Sequence, residues 1–182
     1  MFKNIKDSQV TITELMLPSH SNFSGKIHGG YILNLMDQIA FACASKHSRH
    51  YCVTASVNKV DFLNPIDVGE LVTLKASINY TGRTSMVVGV RVEAENIQTG
   101  AIKHCNSSYF TMVAKDENGK NVPIPGIILK TEESIRRFSR SITRQKETQN
   151  RSSRFKDSEF QISDYLHLFE NQNTKIEYTK NQ

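Results

Sequence analysis

The sequence predicts an α+β fold, an antiparallel sheet with one long helix packed on its face. A single helical pattern, with apolar residues recurring at i, i+3 and i+4, runs from Gly30 to about Lys46. Period-2 alternation then recurs in four successive segments separated by turn residues. Each apolar stripe needs a cover, and a helix laid across the sheet covers both.

In chain order, "SQVTITELM" (Ser8 to Met16) is a first strand, carrying Val10, Thr11, Ile12 and Thr13 and ending before Pro18. The polar loop "PSHSNFSGKI" follows. In the helix, Leu33, Met36, Ala40, Cys43 and Ala44 share one stripe that is rich in small residues. The next segment, "CVTASVNKVDF", alternates at Val53, Ala55 and Val57 before the break at Asn64-Pro65. "LVTLKASINY" alternates at Val72, Leu74, Ala76, Ile78 and Tyr80, and "SMVVGVRVEAENI" at Met86, Val88, Val90, Val92 and Ala94. "AIKHCNSSYFTMVAKD" is the last strand, closed by the Asn118-Gly119 turn. After Pro125, "EESIRRFSRSITRQKE" sets Ile135, Phe138 and Ile142 at helical spacing among arginines, an amphipathic helix docked loosely or on a partner subunit. "RSSRFKDSEF" reads as a linker, "ISDYLHLFE" as a short helical face of Ile162, Tyr165, Leu166 and Phe169, and the last residues as a frayed end. The expected organisation is a body over residues 1–129 and a basic, partly flexible helical extension over 130–182.

A length of 182 residues suits one domain, or one domain with an appendage. No apolar run approaches the roughly 18 to 20 residues of a membrane span, and "MFKNIKDSQV" lacks a signal peptide's apolar stretch. A cytoplasmic protein with no membrane partner is expected. Cys43, Cys52 and Cys105 are widely spaced, which argues against disulfides and a metal site and for thiols used as small core residues. The net charge is +5, but residues 1–129 hold 12 Lys/Arg against 10 Asp/Glu while 130–156 hold 9 against 3. The excess sits in the extension, so a nucleic-acid partner is not expected.

The chemistry concentrates in "NFSGKIHGGYILNLMDQIA", Asn22 to Ala40. With Leu33 at zero and about 100° per residue, Met36 falls at about 300°, Ala40 at about 340°, Ala44 at about 20° and Asp37 at about 40°. Asp37 thus sits at the margin of the buried stripe, half-buried, where a carboxylate must find donors or act. A carboxylate capping a neighbouring loop is the alternative. Gly29 and Gly30 leave the first N–H groups of the helix unshielded, and such a terminus attracts an oxygen that is becoming negative. A pair that merely permits a tight turn is the alternative there.

That stretch resembles the signature of hotdog-fold acyl-CoA thioesterases, the group of bacterial short- and medium-chain acyl-CoA hydrolases and the brain acyl-CoA hydrolase. "CVTASVNKVDFLNPIDVGELVTLKASINYTGRTSMVVGVRVEAENIQTG" resembles the family's strands, and "TMVAKDENGKNVPIP" its closing strand and proline exit. The likeness covers about residues 8 to 150. It implies an antiparallel sheet wrapped around one central helix, two such hotdogs side by side with sites at their interface, and a trimer of dimers, a homohexamer. It implies hydrolysis of fatty acyl-CoA to free acid and coenzyme A without a cofactor. Asp37 matches the catalytic aspartate, general base or nucleophile. Asn22 matches an asparagine supplied by the other protomer, Gly29 and Gly30 the oxyanion-binding helix start, and His28 a position with a supporting role. The turn "YTGRTSM" matches the lining of the coenzyme A channel, with Gly82, Arg83, Thr84 and Ser85 as substrate-binding residues; an ordinary hairpin turn is the alternative. Arg136, Arg137, Arg140 and Arg144 either attract anionic ligands or form a solvated or subunit-packing face.

Two other readings use the same fold. A non-catalytic acyl-CoA-binding or sensing module would have no need of Asp37 together with Asn22. A hydratase or dehydratase would pair an aspartate with a catalytic histidine on the helix, and His47 lies at the helix end instead.

Overall fold

The computed structural model describes residues 1–154, 161–169, 173, 174 and 177. The chain divides into two compact units, Met1–Ile142 and Thr143–Gln182. The first unit contains the opening turns of the basic helix, residues that the sequence assigned to the extension.

In the first unit, β1 (Phe2–Asn4) is followed by β2 (Val10–Leu15), α1 (Gly29–Ser48), β3 (Tyr51–Val57), β4 (Leu71–Thr81), β5 (Ser85–Asn96), β6 (Ala101–Lys115) and β7 (Gly126–Ile128). Five strands form one antiparallel sheet in the order β2-β4-β5-β6-β3. All five touch α1, so the sheet curls around the helix as the sequence led one to expect. β1 and β7 form a separate parallel pair, three residues each and too short to show a period. Helix α2 (Glu132–Arg154) begins in this unit. The second unit contains the end of α2, α3 (Ile162–Tyr165) and a 3-10 turn over Leu166–Phe169. Of the linker expected over 151–160, residues 151–154 instead continue α2 to its end, and 155–160 lie outside the described residues, as do the side chains of Tyr165 and Leu166 and most of the terminus called frayed. No helix among the described residues is long and apolar enough to cross a membrane.

α1 buries Ile32, Leu35, Met36, Ile39, Ala40, Cys43, Ala44 and His47. The stripe is therefore anchored on Ile32, about 100° from Leu33, and Leu33 lies at the surface. Asp37 moves outward with it and is exposed in the single chain rather than half-buried. β5 keeps the expected phase, with Met86, Val88, Val90, Val92 and Ala94 all buried. β3 does not. It is an edge strand with a bulge between Thr54 and Ser56, Cys52 is its buried residue, and Ala55 and Val57 are exposed. In α2 the buried positions are Ser134 and Ser141 beside Phe138, whose ring packs on Tyr80 at 5.0 Å, while Ile135 is exposed. Of the expected stripe of Ile135, Phe138 and Ile142, Phe138 packs on the body, Ile142 is half-buried and Ile135 is not used; the buried face is completed by serines whose hydroxyls bond the helix's own start and backbone.

The C-terminal end of α1 is tied to the β1/β7 pair through His47, which is fully buried. Its Nδ1 lies 2.8 Å from Ser8 Oγ and its Nε2 2.8 Å from the Pro125 carbonyl. The Lys3 ammonium donates to the His47 carbonyl at 2.6 Å. Arg49 then ends the helix in the left-handed conformation, φ 64°.

One glycine is fixed by contact. β4 bulges between Ile78 and Tyr80, and the buried Asn79 side chain turns over β5 so that a Cβ at Gly89 would collide with its amide nitrogen and stand 3.1 Å from its Cγ. Gly89→Ala is expected to destabilise the fold by about 1–3 kcal/mol, the usual cost of overpacking, read as a lowered denaturant midpoint at unchanged m-value.

Candidate active site

The curled sheet leaves a seam between its edge strands β2 and β3, and the outward face of α1 lines it. A groove of about 630 Å³ runs there, with Ile12 from one edge, Cys52, Val53 and Thr54 from the other, and Asp37, Gln38, Phe41 and Ala42 from the helix. Thr54 is in phase with the buried Cys52, and its hydroxyl donates to Asp37 Oδ1 at 2.6 Å. This fixes one carboxylate oxygen and leaves the other facing the groove's solvent. Beyond them, the Phe41 and Tyr51 rings meet edge to face at 5.7 Å.

Of the other site residues named from the sequence, Asn22, His28, Gly29 and Gly30 sit at or before the start of the helix, and none lines this groove. Gly29 is eight residues from Asp37, about 12 Å along the helix axis. His28 is the N-cap, and its Nδ1 accepts the Gly30 N–H at 3.0 Å. Gly30's donor is thus engaged within the chain, whereas the Gly29 N–H has no acceptor among the described residues. The Phe62 ring lies against Gly29, where an added Cβ would stand 3.2 Å from it. Asn22 Oδ1 accepts from the Ser24 N–H, the Ser24 hydroxyl and the Lys26 N–H at 2.9, 2.7 and 3.2 Å. Backbone N–H groups only donate, so this oxygen is fixed by three bonds and the Asn22 NH₂ is the group left to meet a ligand.

The turn Gly82, Arg83, Thr84, Ser85 joins β4 to β5. It closes by the Gly82 N–H donating to the Ser85 carbonyl at 2.7 Å, and the Arg83 and Thr84 carbonyls accept from Ile124 and Ala114. Ser85 and Val53 both pair with Val113, so the turn lies two strands from the groove, about 10 Å away. Arg83 is exposed and has no carboxylate partner among the described residues. In the basic stretch, Arg136 and Arg137 are both spent on Glu133.

His47, Cys43 and Cys105 take no part in the groove. Both His47 nitrogens are engaged in the latch. Burial pushes the Cys43 thiol up to about 12, and the buried Cys105 thiol is also raised. Thr54 is the residue that sequence reasoning missed.

A five-stranded antiparallel sheet rolled around one helix, with a hydrogen-bonded carboxylate exposed in its seam, is a hotdog protein. Over residues 24–101 the chain matches the thioesterase superfamily. Protein VdlD of Helicobacter pylori is 45% identical over 75% of this chain and 78% of its own length. The uncharacterised acyl-CoA thioester hydrolase YkhA of Bacillus subtilis is 37% identical over 80% and 85%. Among solved structures, an apo-hexameric acyl-CoA thioesterase superposes with a TM-score of 0.81 at 38% identity, over 83% of this chain and 97% of that one. An acyl-CoA hydrolase of Staphylococcus aureus, in complex with butyryl coenzyme A, coenzyme A and coenzyme A disulfide, gives 0.79 at 27% over 85% and 94%. It has also been solved as three alanine variants, at an aspartate, an asparagine and a threonine. The chain belongs to the thioesterase superfamily, among the hotdog-fold acyl-CoA thioesterases.

Proposed function

We propose that the protein hydrolyses the thioester of acyl-CoA at a site completed by two copies of the chain, Asp37 and Thr54 from one and Asn22 and the start of α1 from the other. The observation that carries this is the 2.6 Å bond between Thr54 and Asp37 at the groove. It gains weight from spacing. In the Staphylococcus aureus hydrolase the substituted asparagine precedes the aspartate by 15 residues and the threonine follows it by 17. Asn22, Asp37 and Thr54 stand at the same intervals.

The chemistry follows from the free groups. Thr54 holds one oxygen of Asp37, and the other takes a proton from water or itself attacks the carbonyl. The Gly29 N–H, at a helix start with the positive end of the helix dipole behind it, receives the carbonyl oxygen as it becomes negative. Gly30 serves through His28, whose ring caps the turn and holds its shape. The Asn22 NH₂ donates to water or substrate. The thiolate of coenzyme A leaves without metal or cofactor assistance, and Arg83 with the donors of Gly82, Thr84 and Ser85 meets its phosphates.

About 12 Å of helix separates Asp37 from Gly29 within one chain, so a second copy must bring the halves together. The open edge of β3 is the contact proposed for it. Unpaired strand edges invite pairing, and Tyr51, Val57, Phe62 and Leu63 leave apolar surface on and beside it. Three such dimers would give a hexamer, the state of the apo-hexameric relative; a cytoplasmic location is proposed with it.

Release of free thiol from a panel of acyl-CoAs tests the reaction; binding without release would make the protein a binding module. Mixing inactive Asp37→Ala with inactive Asn22→Ala subunits is expected to restore part of the activity, because one interface then carries both intact halves. No recovery in demonstrated mixed dimers would refute the shared site.

A further inference from the structure

A second pocket, of about 450 Å³, opens on the far side of the sheet from the groove, between the N-terminal turn, the outer face of β4 and the start of α2. It shares no lining residue with the groove.

Its polar groups are unequally spent. Of the two carboxylates in its wall, Asp7 accepts from the Asn4 backbone and side-chain N–H groups, and Glu133 is held by Arg136 and Arg137. The two ammonium groups, Lys6 and Lys130, have no carboxylate partner among the described residues. At the floor lies Asn79, 5% exposed. Its Oδ1 accepts from Ser77 Oγ at 3.3 Å, and its NH₂ has no acceptor among the described residues. That NH₂ is thus left to meet solvent or a ligand in the pocket. Arg137, reaching Ser77 Oγ at 3.4 Å, adds a cation to the same rim.

Two side chains supply apolar wall. Ile5 is partly buried, and Ile128 at the end of β7 remains 39% exposed. A bare anion would leave both idle, and a volume of this size exceeds one ion's need and falls in the range of small-molecule sites.

We propose that this pocket binds a small organic carboxylate, its charged group between Lys6, Lys130 and the Asn79 amide and its apolar body against Ile5 and Ile128. The site is separate from the hydrolytic groove, and the proposal stands whether or not that groove hydrolyses acyl-CoA.

Calorimetric titration of the full chain with hexanoate, beside inorganic phosphate, tests it. Saturable hexanoate binding is expected, tighter than phosphate. In Lys6→Gln/Lys130→Gln the hexanoate Kd rises at least tenfold while KM and kcat for acyl-CoA are unchanged, which separates this pocket from the groove. Both lysines are exposed, so the variant folds. Ile128→Glu, which sets a carboxylate in the wall, abolishes binding. Absence of saturable binding, phosphate binding as tight as hexanoate, or an unaltered Kd in both variants would overturn the assignment.

Discussion

Asp37→Ala is expected to lower kcat for acyl-CoA hydrolysis by about 10²–10⁴-fold, the range that a positioned acid–base group supplies. Its effect on stability should stay below about 1 kcal/mol, because Asp37 is exposed and its bond to Thr54 is replaced by water. Asp37→Asn separates charge from shape. The amide oxygen still accepts from Thr54, but it can neither take a proton nor attack, so this variant should be as slow as alanine. Thr54→Val removes the donor at nearly constant volume. A hydrogen bond to a charged group is worth about 1.5–3 kcal/mol, so a loss of roughly 10- to 100-fold is the most that Thr54 can account for. The two residues act as one unit, and the double variant Asp37→Ala/Thr54→Val should be no slower than Asp37→Ala alone. Steady-state kinetics on the four proteins decide the matter. Full activity in Asp37→Ala would remove it from the chemistry, and additive losses would mean that Thr54 acts on the substrate and not through Asp37.

The parts of this arrangement that were legible in the sequence are those where burial is regular. β5 lies in the middle of the sheet, every second residue faces the helix, and its alternation places all five apolar positions correctly. β3 also alternates apolar residues but has a free edge and a bulge, so they do not mark its inward face. For that reason Thr54 was missed. On the sequence it is one β-branched residue among several, and only its phase with Cys52 marks it as facing α1. The charge of Asp37 drew attention to the right helix, but adjacent apolar residues at 32 and 33 left the stripe's rotation uncertain by one step, and with it the burial of the carboxylate. Gly29 and Gly30 look equivalent in "HGG", and the His28 ring distinguishes them by engaging one N–H. A histidine as N-cap has no strong sequence signature. Which copy completes the site depends on an interface that one chain's pattern does not encode.

The largest effect on stability should come from His47, ten residues beyond Asp37 and remote from the groove. The Pro125 carbonyl can only accept, so Nε2 carries the proton and Nδ1 is the acceptor for the Ser8 hydroxyl. The neutral ring is fully satisfied by these two bonds. His47→Ala leaves the buried Ser8 hydroxyl and the Pro125 carbonyl unpaired around a cavity, with an expected loss of about 2–4 kcal/mol. The same geometry fixes the pH dependence. Burial lowers the ring's pKa below the ordinary histidine value; the Pro125 carbonyl opposes this, and the Lys3 charge adds to it. The folded protein therefore binds this proton less readily than the unfolded chain, so the contribution of His47 is complete above about pH 6.5, the unfolded value, and declines as the pH falls below it. Denaturant unfolding at one protomer concentration should give the full difference between wild type and His47→Ala at pH 8 and a smaller one at pH 5. Other titrating groups are common to both proteins and cancel in that difference. An equal gap at both pH values would mean that the imidazolium fits this site as well as the imidazole, which a fully buried ring beside the Lys3 ammonium should not allow.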